Sequence, residues 1–132
     1  MRTGSLILIL IFEVAVVALL QLVPVNINAE LLKINSKFIF GVTGSNDIAI
    51  VILLLVLVFL IYLTAKSKKF ILTLADALLI AGICSNLLDR VFRGGATDYI
   101  SIGRLPTFNI ADIFIVVGII VLGTSYILKA EK

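Results

Sequence analysis

The chain has no histidine and no tryptophan, one cysteine, two prolines, and only eleven basic and eight acidic residues in 132. Without histidine, the commonest metal ligand, the serine–histidine nucleophile pair and the usual proton shuttle are all excluded. Any proton chemistry falls on Asp, Glu, Lys or Tyr. A single thiol, Cys84, cannot form an intrachain disulfide and reads as a packing residue inside an apolar run. Charged residues make up 14% of the chain and apolar ones 61%, with a mean hydropathy of +1.24. A water-soluble domain this small has too much exterior to hide that much apolar surface, so lipid is the expected solvent.

Four apolar stretches approach membrane-spanning length: Ser5 to Val23, Ile48 to Ala65, Phe70 to Leu88 and Ala111 to Leu128. They predict an all-α membrane protein, a four-helix bundle forming one domain over residues 1–132. Arg2 and a long apolar run with no clear small-residue cleavage site suggest a retained first helix rather than a removed signal peptide. Lys66, Lys68 and Lys69 crowd one short connection, and Arg2, Lys129 and Lys132 flank the outer helices. The positive-inside rule puts these six, and both termini, in the cytoplasm. Lys33, Lys37, Arg90, Arg93 and Arg104 fall outside, balanced by Glu30, Asp47, Asp89, Asp98 and Asp112. Gly118 and the group Gly123, Thr124, Ser125 would let the fourth helix approach a neighbour closely.

Two outer segments remain. Pro24 to Asn46 mixes polar and apolar residues and predicts a short strand or hairpin on the membrane surface. Gly41, Gly44, Ser45 and Asn46 read as a turn, with Asn46 or Asp47 opening the second helix. Arg90 to Phe108 carries Gly94, Gly95, Gly103 and Pro106 and reads as a loop.

The chemistry concentrates in two Asn-x-x-Asp motifs. Asn86-Leu87-Leu88-Asp89 closes the third run and Asn109-Ile110-Ala111-Asp112 opens the fourth. A short outer connection would bring them to one membrane face. Ionisable groups at membrane depth are costly, so such a pair suggests function. Each motif also has an ordinary reading. Asp89 can mark a helix end and pair with Arg90. Asn109 with an acid three residues on can be a capping box. If both aspartates act, Asp89 at a negative helix end would tend to hold a shared proton, and Asp112 at a positive end would tend to be ionised. The ionised member would take a proton from water, while the protonated one polarised a peptide carbonyl. That scheme needs no metal and no cofactor.

The run Cys84-Ser85-Asn86-Leu87-Leu88-Asp89-Arg90, then Thr97-Asp98-Tyr99-Ile100, then Pro106-Thr107-Phe108-Asn109-Ile110-Ala111-Asp112 resembles the bacterial lipoprotein signal peptidase (signal peptidase II) family. Its patterns are G-N-x-x-D-R, V-D-[FY]-[IL] and P-x-F-N-x-A-D. The resemblance implies an aspartic endopeptidase of the cytoplasmic (inner) membrane, with its site near the outer face. It would cut lipidated prolipoproteins before the diacylglyceryl-modified cysteine. Asp89 and Asp112 match the catalytic positions, and Asn86 and Asn109 the asparagines that support them. Arg90 and Asp98 match polar positions with structural or substrate-orienting roles. Asn35, with Phe38, Phe40 and Gly41 nearby, stands where the family carries an Asn-x-Gly-x-x-Phe motif. The implied partners are the lipidated substrate and membrane lipid, the chain acting as a monomer without nucleic acid.

The chain departs from the family in places. Ser85 replaces the motif glycine and Ser36 interrupts the Asn-x-Gly pattern. Glu13 holds the first helix's acidic place, but Val17 stands where a lysine is usual. Glu13 reads as a bundle-facing hydrogen-bonding group and Asp76 as an acid reaching water beside Lys68 or Lys69. Arg93 and Arg104 are either solvated or bound to lipid phosphates. The competing reading is a non-enzymatic membrane protein, such as a transporter, assembly subunit or degenerate relative. A transporter would more naturally place its acids near mid-span.

Overall fold

The computed structural model describes residues 3–36, 45–66 and 70–130. Four helices dominate: α1 Thr3–Leu22, α2 Asn46–Lys66, α3 Phe70–Arg93 and α4 Ile110–Ala130. Two short strands, β1 Lys33–Asn35 and β2 Ala96–Asp98, pair antiparallel, with Lys33 opposite Asp98 and Asn35 opposite Ala96. Single 3-10 turns at Pro24–Asn26 and Ala29–Leu31 carry the chain from α1 to β1.

Helix α3 is the hub, packing against each of the other three, and against α4 most extensively. Glycine makes that contact close. A Cβ on Gly82 would lie 2.6 Å from the Ala111 carbonyl oxygen, and one on Gly118 would lie 2.6 Å from Leu79 and 3.0 Å from the Ala75 carbonyl. Gly118 therefore has the expected role. Gly123 meets nothing within 4 Å among the described residues, and Gly82, not singled out in the sequence, is the second contact point. Helix α2 offers one stripe, Ala49, Leu53, Leu57 and Leu60, toward the core of Leu79, Ile80 and Ile83. Cys84 packs beside that core.

The outer faces are apolar. Leu55 and Val58 are each 66% exposed and Val14 is 69% exposed. Such faces suit lipid rather than water, and helices satisfy their backbone groups internally, as lipid demands. By length and composition, Asn46–Thr64 and Leu72–Arg93 qualify as membrane spans, with mean hydropathy 2.9 and 1.5. The apolar stretches Ile11–Asn26 and Ile110–Ser125 are shorter.

Three expectations need correction. Helix α3 continues through Arg93, five residues past its expected end, so Asp89 is not in its last turn. Val91 and Phe92 extend the apolar pattern, while Arg90 and Arg93 suit the helix's negative end. Gly94, at φ +78°, then stops it in the left-handed conformation that glycine adopts freely. Second, the short strand expected in the first outer segment is β1, and its partner β2 lies inside the segment read as loop. Third, Asp76 is 2% exposed and faces Glu13 across α1 and α3, instead of reaching water. Among the described residues, its Oδ1 has no hydrogen-bond partner. The expectations for Gly41, Gly44, Phe38, Phe40, Lys37, Lys68 and Lys69 lie outside the described residues. Ser45, in front of α2, caps it by accepting from the Ile48 amide at 3.3 Å.

Candidate active site

The outer end of α3, the first turn of α4 and strand β2 converge on one polar cluster. Asn109 and Asp112 form the capping box that their spacing predicts. The Asp112 amide donates to Asn109 Oδ1 at 3.0 Å, and the Asn109 amide donates to Asp112 Oδ2 at 3.1 Å. The same residues reach further. Asn86 Nδ2 donates to Asp112 Oδ1 at 2.8 Å, and Asn109 Nδ2 donates to Asn86 Oδ1 at 3.0 Å and to Asp98 Oδ1 at 3.2 Å. Asn35 Nδ2, from β1, donates to Asp98 Oδ2 at 3.1 Å. Asn35 and Asp98 are diagonal neighbours on one face of the two-stranded sheet, within reach of such a bond.

Asp98 is thus a buried acid, 2% exposed, tied through the two asparagines to Asp112. Burial raises its carboxyl above the usual carboxylate range, to about 6. The Asp112 charge adds to the rise, while the Asn35 and Asn109 donors and Arg90 oppose it. Asp112 is only half-buried, so it is the more approachable of the two.

Asp89 sits differently. It pairs with Arg93, one turn on, rather than with Arg90, and its Oδ2 accepts the Thr97 amide at 2.9 Å. It therefore pins the middle of β2 to α3. The Arg93 guanidinium lies against Asp89 near the C-terminal end of α3. Arg90 turns to α2: its Nη1 donates to Asn46 Oδ1 at 3.2 Å, while Asn46 Nδ2 donates to the Arg90 carbonyl at 3.0 Å. Its charge acts on Asp98 and Asp112.

Tyr99 was only part of a motif in the sequence, yet its hydroxyl accepts the Ile110 amide at 3.3 Å, at the start of α4. Burial raises its phenol above the ordinary tyrosine range, and Asp89, Asp112 and Asp98 push it the same way. Ser85, Asp89, Thr97, Tyr99 and Asn109 line a small cleft with Leu20 and Pro24 of the first segment. Gln21 was not foreseen either: it reaches Ser85 and Arg93 from α1. Nothing short of the fold signals it, because a lone glutamine near a helix end has no distinctive pattern.

Among the described residues, no set of three or more acids and thiols could hold a metal ion. The arrangement can hold one acid protonated and another ionised within a single hydrogen-bonded lattice, the requirement for carboxyl acid/base chemistry.

The sequence model of signal peptidase II matches residues 9–128. A lipoprotein signal peptidase of Caldicellulosiruptor bescii is 32% identical over 111 residues, covering 80% of this chain and 73% of that protein. One from Dehalococcoides mccartyi is 45% identical over 58 residues, 44% of this chain and 36% of its own length. One from Rickettsia conorii is 35% identical over 86 residues, 62% of this chain and 43% of its own. Two solved structures share the fold. A bacterial membrane enzyme determined in meso at 2.3 Å superposes with a TM-score of 0.77 at 24% identity, covering 98% of this chain and 91% of that one. Another, at 1.9 Å, gives a TM-score of 0.74 at 25% identity, covering 95% and 94%. Matched over nearly its whole length, the chain belongs to the signal peptidase II family, the bacterial membrane peptidases that remove signal peptides from prolipoproteins.

Proposed function

We propose that the cleavage is aspartic, and that Asp98 and Asp112 are the pair that performs it. The observation that carries this reading is the asparagine lattice: Asn109 bonds Asp98 and Asn86, and Asn86 bonds Asp112. Asp112, in the first turn of α4, accepts two amide donors, from the Asn86 side chain and the Asn109 backbone. Asp98, raised to about 6, keeps a proton more readily than an ordinary aspartate. Asp112 takes a proton from water, and the oxygen of that water attacks the scissile carbonyl. Asp98 donates to the carbonyl oxygen and later helps to protonate the departing amine. Asn86, Asn109 and Asn35 hold the two carboxyls in register, and Arg90 neutralises part of their charge.

A second reading keeps the pair expected from the sequence, Asp89 with Asp112. It is favoured by the small cleft, whose lining includes Asp89. The ion pair with Arg93 and the bond to Thr97 weigh against it, because they commit Asp89 to holding β2.

All four helices cross the cytoplasmic membrane in this proposal, as one monomeric domain over residues 1–132. Both termini are inside and the polar cluster is at the outer face. The substrate is a prolipoprotein carrying a diacylglyceryl cysteine, whose signal helix enters from the surrounding lipid, and the cut falls before that cysteine. The test is mass-spectrometric mapping of the cut in a lipidated and an unlipidated precursor, with the protein in lipid. A single cut before the lipidated cysteine, lost in Asp112→Asn, is expected. Equal cleavage of both precursors would remove the lipid requirement, and full activity of Asp112→Asn would remove the aspartic mechanism.

A further inference from the structure

Ser85, Asp89 and Arg93 are spaced four residues apart and so form one stripe along the outer end of α3. Gln21 lies across that stripe from α1. Its Nε2 donates to the Ser85 carbonyl at 3.0 Å and to Ser85 Oγ at 3.1 Å. Its Oε1 accepts from Arg93 Nη1 at 3.2 Å. The same Nη1 pairs with Asp89. Both ends of one carboxamide are therefore used, one a turn before Asp89 and the other a turn after it.

The connection continues toward the reacting groups. Asp89 Oδ2 accepts the Thr97 amide, and Thr97 is the residue before Asp98. Ser85 occupies the place where the family motif has glycine, and a glycine there would offer Gln21 only the carbonyl. We infer that Gln21 is a positioning residue for the cleavage reaction. It docks α1 on the Asp89 stripe through Ser85 and holds Arg93 against Asp89, which fixes β2 and so the placement of the Asp98 carboxyl. The inference rests on the proposed role of Asp98 as the acid.

The geometry explains why one carboxamide suits the task. A leucine or methionine of similar length would fill the space but bond neither side. An asparagine is one methylene shorter and could not span from Ser85 to Arg93. A misplacement of about 1 Å at a reacting group can cost on the order of a hundredfold in rate, so a residue distant from the scissile bond can act on kcat.

The test is a double-mutant cycle in kcat and KM with a lipidated precursor, using Gln21→Met, Arg93→Met and the double variant. Thermal unfolding is measured on each, and Asp112→Asn serves as the control for the reaction itself. The expected result is a fall in kcat of roughly tenfold to a hundredfold in Gln21→Met, with KM within about threefold of the parent. Arg93→Met should match it, and the double variant should be no worse than the poorer single. Independent, multiplying losses in the two singles, or an effect confined to KM and unfolding temperature, would overturn the relay. If Gln21→Met does not fold, Gln21→Glu decides. It keeps the acceptor for Arg93 and loses the donors to Ser85, so a folded protein with lowered kcat and parental KM supports the positioning role, and a fully active one overturns it. A fully active Gln21→Met beside a dead Asp112→Asn would sink only the relay. A fully active Asp112→Asn would sink the aspartic reading instead.

Discussion

Asn109 and Asp112 are bonded to each other twice, amide to side chain in both directions. One motif thereby starts helix α4 and holds a carboxylate in the polar cluster. Structural and chemical roles are not alternatives at this position. The cap holds the acid still, and the acid completes the cap.

Removing the cap should reveal both roles. Asn109→Ala loses a cap worth about 1 kcal/mol and also the bonds to Asn86 and Asp98. The expected outcome is a modest drop in unfolding temperature with a much larger loss of cleavage. Asn86→Ala, which leaves the cap intact, should lose cleavage with little change in unfolding. Comparable losses of both properties in the two variants would contradict this.

Asp98 sets a pH dependence whose sign is opposite to the usual aspartate case. Its carboxyl is raised in the folded protein, to about 6, so the fold binds more protons than the unfolded chain between about pH 4 and 6. The acid therefore weakens the fold as pH rises through that window. Asp98→Asn should unfold at a higher temperature at pH 7.5, by about 1–3 kcal/mol in stability, and show no such gain at pH 4. In the parent, kcat/KM should decline above about pH 6 as the acid loses its proton. A flat profile from pH 5 to 8 would count against Asp98 as the acid.

Backbone contacts at two glycines predict which substitutions reach the site. Gly82→Ala would meet the Ala111 carbonyl at 2.6 Å, and backbone cannot yield as a side chain can. Since Asp112 follows Ala111, cleavage should fall together with stability. Gly123→Ala meets nothing within 4 Å among the described residues and should be neutral in both assays. Equal effects from the two would remove the close α3–α4 contact from the account.

Gly95 tests the strand side. A Cβ there would lie 2.7 Å from the Asn35 carbonyl carbon and oxygen and 2.8 Å from the Ser36 nitrogen. Gly95→Ala must push β1 from β2 and stretch the Asn35–Asp98 bond. Cleavage should fall several-fold, and Asn35→Ala should reproduce most of that loss. An active Gly95→Ala with an inactive Asn35→Ala would place the role of Asn35 elsewhere.

Helix number and motif placement were legible because apolar runs and an Asn-x-x-Asp cap are local signals. The partners of the acids were not. Asp89 faces Arg93 instead of Arg90 because α3 continues past its apolar run, and four-residue spacing, rather than adjacency, sets helix neighbours. Asp98 becomes central only when β2 pairs with β1 and brings Asn35 across from a distant part of the chain. Glu13 and Asp76, read separately along the sequence, face each other for the same reason: helix packing decides it. The clamp by Gln21 likewise depends on α1 docking against α3.

The most direct test of the central claim compares Asp89→Asn, Asp98→Asn and Asp112→Asn by single-turnover cleavage of one lipidated precursor at a fixed pH. Losses of roughly a hundredfold to ten-thousandfold are expected for Asp98→Asn and Asp112→Asn, with Asp89→Asn, a positioning change, distinctly milder. An Asp98→Asn protein that cleaves normally while Asp89→Asn is dead would contradict it and return the acid role to Asp89.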